Sequence, residues 1–104
     1  MTRTVDVVIV GGDATAVAAT IDAVRRGQRV LVVMRTRRSG FARQLRRAIG
    51  TAVVLSPAQI TVLTGAEVAC VDGVKSIEAV LVRQLRTRRL LGFNASALLV
   101  CGLL

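Results

Sequence analysis

The residues best able to do chemistry lie in one short stretch, Gly11-Gly12-Asp13-Ala14-Thr15-Ala16, between an apolar run and a helical pattern. In a turn of this kind the first glycine permits the tight bend and the next lets a pyrophosphate approach the main chain. A small third residue then lets the helix pack closely on the strand. Gly11 meets the first requirement and Ala16 the third. The middle position is Asp13, so a carboxylate stands where the phosphate would come closest. As a helix N-cap, Asp13 would accept a backbone N–H and complement the helix dipole, and this reading is preferred to a catalytic carboxylate. Those same N–H groups bind phosphate, so the cap sets a built-in anion in the place of a ligand. Alternatively, Gly11 and Gly12 serve only as a tight strand-to-helix connection.

A second candidate group, Arg35, Arg37 and Arg38, is either a solvated loop or a phosphate clamp. Cys70 and Cys101 have no CxxC spacing, and the chain has no histidine, which excludes the common zinc frameworks, redox dithiols and Ser-His-Asp or Cys-His constellations. Both cysteines read as small core residues on strands, and two unpaired thiols point to a reducing, cytoplasmic setting. The net charge is +9 and all but one of the 15 basic residues are arginine. Genomic base composition accounts for much of that preference. Arg35, Arg37, Arg38, Arg43, Arg46 and Arg47 do cluster, but there is no Tyr or Trp to stack on a base, so nucleic-acid binding is a minor alternative.

The elements that must position these residues are legible from hydrophobic period. At 104 residues the chain has room for one domain over 1–104. Hydrophobic residues are 53% but aromatics 2%, so the core must be built from Val, Leu, Ile and Ala, which favours a sheet with small-residue helices packed on it. Val5 to Val10 is a nearly continuous apolar run closed by Gly11-Gly12, as expected of a central parallel strand covered on both faces. From Asp13 to Arg26, Val17, Ile21 and Val24 recur at helical spacing before Gly27, a C-terminal stop. Val30 to Val33 supplies the next strand, parallel to the first in a βαβ unit. Phe41, Leu45 and Ile49 predict a second helix ending at Gly50. Ile60–Val71, Ser76–Leu85 and Arg89–Ala95 read as three strands of an antiparallel meander, separated by Asp72-Gly73 and by Arg86-Thr87-Arg88. Ala97 to Cys101 returns to the parallel sheet. The longest apolar stretch, Ala97 to Leu104, is too short to span a bilayer.

The segment Asp6 to Gly12, continuing through Val17-Ala-Ala-Thr-Ile to Arg29-Val-Leu-Val-Val-Met-Arg, resembles the opening of the FAD/NAD(P)-binding flavoprotein oxidoreductases. The Asp72-Gly73 turn, Ile77 to Val82, Arg88-Arg89 and Ala95 to Gly102 resemble the meander and closing strand of the same superfamily. The resemblance implies an α/β fold with a Rossmann-like parallel sheet, flanking helices and an antiparallel β-meander. It also implies FAD or NADP(H) as cofactor. Opening directly on a strand resembles the FAD domain, in which an acidic residue ends the second strand for a ribose hydroxyl; Met34 occupies that position here. The compact length and Arg35, Arg37 and Arg38 resemble instead the NADPH domain of thioredoxin reductase-like enzymes, where arginines hold the 2′-phosphate.

The expected function is a dinucleotide-binding domain or subunit of a flavoprotein-type oxidoreductase, not catalytic alone. The alternative is a degenerate Rossmann-like structural or interaction module with no ligand bound. Because the sequence stops at Leu103-Leu104, apolar surface is expected to be left open. A homo-oligomer would cover it, most simply a two-fold dimer burying the C-terminal strand or a meander face of Val80, Val82 and Leu90, or a larger oxidoreductase partner would do so.

Overall fold

The structure, a computed structural model, describes residues 3–36, 40, 43–45, 47 and 59–101. The elements in chain order are β1 (Arg3–Thr4), β2 (Val7–Val10), α1 (Ala14–Arg25), β3 (Val30–Met34), β4 (Ile60–Thr64), β5 (Ala66–Asp72), β6 (Ala79–Gln84), β7 (Leu90–Asn94) and β8 (Ala97–Val100). They form two four-stranded sheets. One is wholly parallel, in the order β4-β3-β2-β8. In the other, β5, β6 and β7 form an antiparallel meander and β1 adds parallel to β7.

Alternation along β2 and β3 explains why their sequences show no polar face. Side chains of a strand point alternately to opposite sides. Val7 and Ile9 of β2, with Val30, Val32 and Met34 of β3, pack against Val17, Ala23 and Val24 of α1. Their neighbours Val8, Leu31 and Val33 face the other way, onto Val80, Val82 and Phe93 of the meander. The molecule is therefore layered as helix, parallel sheet, meander. Val8, Ile9, Leu31, Val32 and Val33 are each fully buried.

Sequence and structure agree closely on α1. Asp13 is its N-cap and accepts from the Ala16 N–H at 3.0 Å. At the other end Gly27 has φ +75°, its N–H donates to the Val24 carbonyl and the next N–H, of Gln28, to Ala23, a Schellman closure. Where the Phe41, Leu45 and Ile49 spacing predicts a second helix, residues 40, 43–45 and 47 are helical and Leu45 packs on the helix-side core. Phe41, Arg46, Ile49 and Gly50 lie outside the described residues.

The main departures from the sequence reading occur where the chain changes sheets. The run Val5–Val10 is broken at Asp6, because β1 belongs to the meander sheet and β2 to the parallel one. Asp6 secures that crossing: its N–H donates to the Arg29 carbonyl and its carboxylate accepts from the Arg29 N–H at 2.7 Å. Ile60–Val71, read as one strand, is two. β4 joins the parallel sheet beside β3, and Gly65, at φ +62°, redirects the chain into β5 of the meander. A single residue makes the change because a left-handed backbone there suits glycine.

Two exposure expectations are also corrected. Val80 and Val82 are fully buried between the sheets, since alternation turns them inward and leaves Leu81 outside; Leu90 is indeed exposed. Cys70, expected in the core, is exposed on the edge strand β5, beyond a register shift between Val68 and Cys70.

The β6–β7 hairpin holds Arg88 at φ 59°, a conformation that disfavours a residue with a Cβ. Replacement Arg88→Gly is expected to raise stability by about 0.5–1 kcal/mol, read as a higher urea midpoint at unchanged slope.

Candidate functional site

The predicted turn is assembled at the carboxyl end of the parallel strands, where open α/β sheets bind their ligands. β2 and β3 pair with Val10 opposite Val33, and the Gly11 N–H continues the pairing by donating to the Val33 carbonyl at 3.0 Å. On the other side the Cys101 N–H donates to the Val10 carbonyl at 2.8 Å, extending the β2–β8 pairing. The turn is thus clamped between the ends of two neighbouring strands before α1 begins.

Gly11 is required by this clamp. Its φ is +133°, and a Cβ built on it would overlap the carbonyl oxygen of Cys101. Asp13, half-buried, has its carboxylate committed to the Ala16 N–H, while its carbonyl accepts from Val17 at 3.1 Å. Ala16 is fully buried against the strands, the position where a larger side chain would push the helix away. Ala14 and Thr15 are exposed at the start of the helix.

The electrostatics of the turn are those of an anion already in place. Burial pushes the Cys101 thiol above its ordinary range, and the nearby Asp13 carboxylate raises it further. Cys101 therefore stays a neutral thiol, packed in the helix-side core with Val7 and Ile9. Among the described residues no three His, Cys, Asp or Glu side chains gather to hold a metal.

The remaining predicted residues divide. Gly11 to Asp13 form the turn, and Ala14 to Ala16 are the first residues of α1 that follow it. Met34 ends β3, but its side chain is buried on the helix side, so it is part of the core. Arg35 follows it and is exposed at the same edge of the sheet as the turn. Arg37 and Arg38 lie outside the described residues.

No family model matches the sequence, and no curated protein matches it by sequence. Solved structures do match it in shape. The thioredoxin reductase of Streptococcus pyogenes superposes with a TM-score of 0.74 at 17% identity, over 97% of this chain and 32% of that one. The thioredoxin reductase of Giardia duodenalis gives 0.72 at 17% identity, over 96% and 31%. The Mycobacterium smegmatis Sdh1 complex in the apo form gives 0.74 at 12% identity, over 96% and 34%. The fold is thioredoxin reductase-like. The chain spans about a third of the length of each of these proteins.

Within the thioredoxin reductase-like fold, sequence reasoning missed one group. Thr64, Gly65, Gln84, Arg86 and Thr87 line a hollow together with Arg35. In the sequence Arg86-Thr87-Arg88 reads only as a polar separator between strands, and nothing local to it shows that the hairpin folds back beside Arg35.

Two outcomes test this geometry. Gly11→Ala is expected to cost about 2–4 kcal/mol, through backbone strain and the overlap at Cys101, measured by urea unfolding. The raised Cys101 thiol contributes stability that is complete below the ordinary thiol range of about 8–9. As pH rises the unfolded chain ionises first, so the contribution is lost until the folded thiol ionises too. Unfolding free energies from neutral to alkaline pH should therefore fall more for the natural chain than for Cys101→Ala, and equal slopes would contradict it.

Proposed function

We propose that the chain is a dinucleotide-binding domain or subunit of a flavoprotein-type oxidoreductase that is not catalytic alone. The observation that carries this reading is the clamped Gly11 turn. It leads into the N-terminus of α1 at the carboxyl edge of a parallel sheet, in a fold of which nearly the whole overlays about a third of thioredoxin reductase. Gly11, Gly12, Ala14 and Thr15 would carry the pyrophosphate, and the buried Ala16 keeps the helix close enough to present it. Of the two cofactors, NADP(H) fits better than FAD. The acidic residue that would hold a ribose hydroxyl is replaced by Met34, whose side chain is buried, while Arg35 is exposed where a 2′-phosphate would lie. Arg37 and Arg38 follow it in sequence. When bound, the cofactor supplies the hydride chemistry; the chain positions it.

Asp13 supports a second reading, a fold retained as a structural or interaction module without ligand. Its carboxylate already satisfies the Ala16 N–H and opposes an incoming pyrophosphate. The two readings converge on weak binding by the natural chain and separate when the charge is removed. We assign the chain to the cytoplasm on its free thiols. We further propose association with a second copy or a larger oxidoreductase partner, supported by the exposed Leu99 and Val100 on the edge strand β8. Among the described residues no helix is long and apolar enough to cross a membrane.

Asp13→Asn keeps the helix cap and removes the charge, so it is expected to bind NADPH more tightly than the natural chain at unchanged stability. NADPH should be preferred to NADH by about 1.5–3 kcal/mol, the worth of a hydrogen bond to a charged group. Titration calorimetry on both proteins measures each effect. Absence of binding in Asp13→Asn would favour the module without ligand.

A further inference from the structure

The hollow that sequence reasoning missed lies at the same edge of the parallel sheet. β3 and β4 pair with Met34 opposite Thr64, so Arg35 and Gly65 are the next residues out on neighbouring strands. Gly65 turns the chain toward the meander, and its carbonyl accepts the Leu85 N–H at 2.8 Å, tying the β6–β7 hairpin to this edge. The hairpin is closed by hydrogen bonds from Arg88 N–H to the Gln84 carbonyl at 2.7 Å and from Gln84 N–H to the Arg89 carbonyl at 2.8 Å. Arg86 and Thr87 are thereby carried to a hollow of about 440 Å³ whose other walls are Arg35, Thr64, Gly65 and Gln84.

The chemistry of these walls is one-sided. Arg35, Arg86 and Thr64 line one space, and among the described residues no carboxylate lines it. Four carboxylates are engaged elsewhere: Asp6 with the Arg29 N–H, Asp13 with Ala16, Asp22 with Arg26 at 3.1 Å and Glu67 with Arg83 at 3.5 Å. The Thr87 hydroxyl donates to the Gln84 side-chain oxygen at 3.0 Å, which leaves the amide NH₂ of Gln84 as a further donor. A site lined by two arginines and no carboxylate, in a chain of net charge +9, favours an anion with several acceptor oxygens.

We propose that this hollow is a phosphate-monoester site in which Arg86, on the meander hairpin, acts together with Arg35. Arg86 is then a residue that discriminates a phosphorylated from an unphosphorylated ribose, contributed by a part of the chain far from the glycine turn. The inference rests on the dinucleotide reading only for the source of the phosphate, the 2′-phosphate of NADP(H). The site itself needs only a monoester or free phosphate.

Titration calorimetry of the full chain with adenosine 2′,5′-bisphosphate, ADP and inorganic phosphate separates these levels. The bisphosphate should bind about tenfold or more tighter than ADP, and Arg86→Ala should lower its affinity by about ten- to a hundredfold while leaving ADP unchanged. Arg86→Lys should restore part of the loss, because the charge returns without the two-pronged geometry. Arg86 is exposed, so the variant should keep the natural urea midpoint, and Arg25→Ala, on the exposed last turn of α1, should leave phosphate binding intact. Binding of inorganic phosphate that is lost in Arg86→Ala, with no binding of either nucleotide, would uphold the site and overturn the dinucleotide reading. Equal affinities of the natural chain and Arg86→Ala for the bisphosphate and for phosphate would overturn the site, as would failure of both to bind.

Discussion

Strands β2 and β3 are covered from both sides, and most of the architecture follows from that. Because successive side chains point to opposite faces, an apolar strand with no polar alternation must meet a second layer on each side. One layer is α1, whose Ala16, Thr20 and Ala23 are small enough to let the helix axis lie close. The other is the meander, whose Val80, Val82 and Phe93 close over Val8, Leu31 and Val33. With few aromatic side chains available, the core is filled by β-branched residues in register, and its stability depends on three layers meeting without gaps.

That layering constrains the crossings. A chain that serves both sheets must pass between them, and it does so at Asp6, at Gly65 and through Ala95-Ser96. Each crossing is secured by hydrogen bonds to its neighbours: Asp6 to Arg29, the Gly65 carbonyl to Leu85, and Ser96 N–H to the Asp6 carbonyl at 3.1 Å. The crossings at Asp6 and Ser96 sit together at the amino edge of β2. The one at Gly65 sits at the carboxyl edge, and so brings the meander hairpin to the edge that carries the glycine turn. The contact that joins the meander to this edge also sets Arg86 beside Arg35.

The turn shows how a feature that suits a ligand is also demanded by the fold. Gly11 is needed because the end of β8 presses the Cys101 carbonyl against it, whether or not a phosphate is bound. Ala16 is small because the helix must seat on β2 and β3. Asp13 stabilises the helix start through its bond to Ala16 at the same place where its charge repels an anion. For the phosphate proposed at this turn, helix capping and affinity oppose one another at this one residue.

How much of this was legible beforehand follows from the range of the interactions involved. Local signals read directly: the strand at Val7–Val10, α1 with its Asp13 cap and Gly27 stop, β3, and the return of Ala97–Val100 all depend on periods and end signals a few residues long. The Gly11 turn belongs with them, because strand, glycine and helix adjoin in sequence. What was misread depended on partners distant in the chain. Ile60–Val71 is mostly apolar on either side of Gly65, so its pairing with two different sheets is what divides it. Val80 and Val82 became inward residues when the meander took its register against the parallel sheet, and Cys70 became exposed because β5 is an edge. Arg86 gained a neighbour 51 positions earlier, Arg35, through one backbone hydrogen bond at Gly65. By itself the sequence determined the elements that carry their own end signals and the glycine turn, since backbone preference and hydrophobic period act within a few residues. The tertiary structure alone decided which faces are buried and which arginines converge, since those depend on where each strand finds its partner.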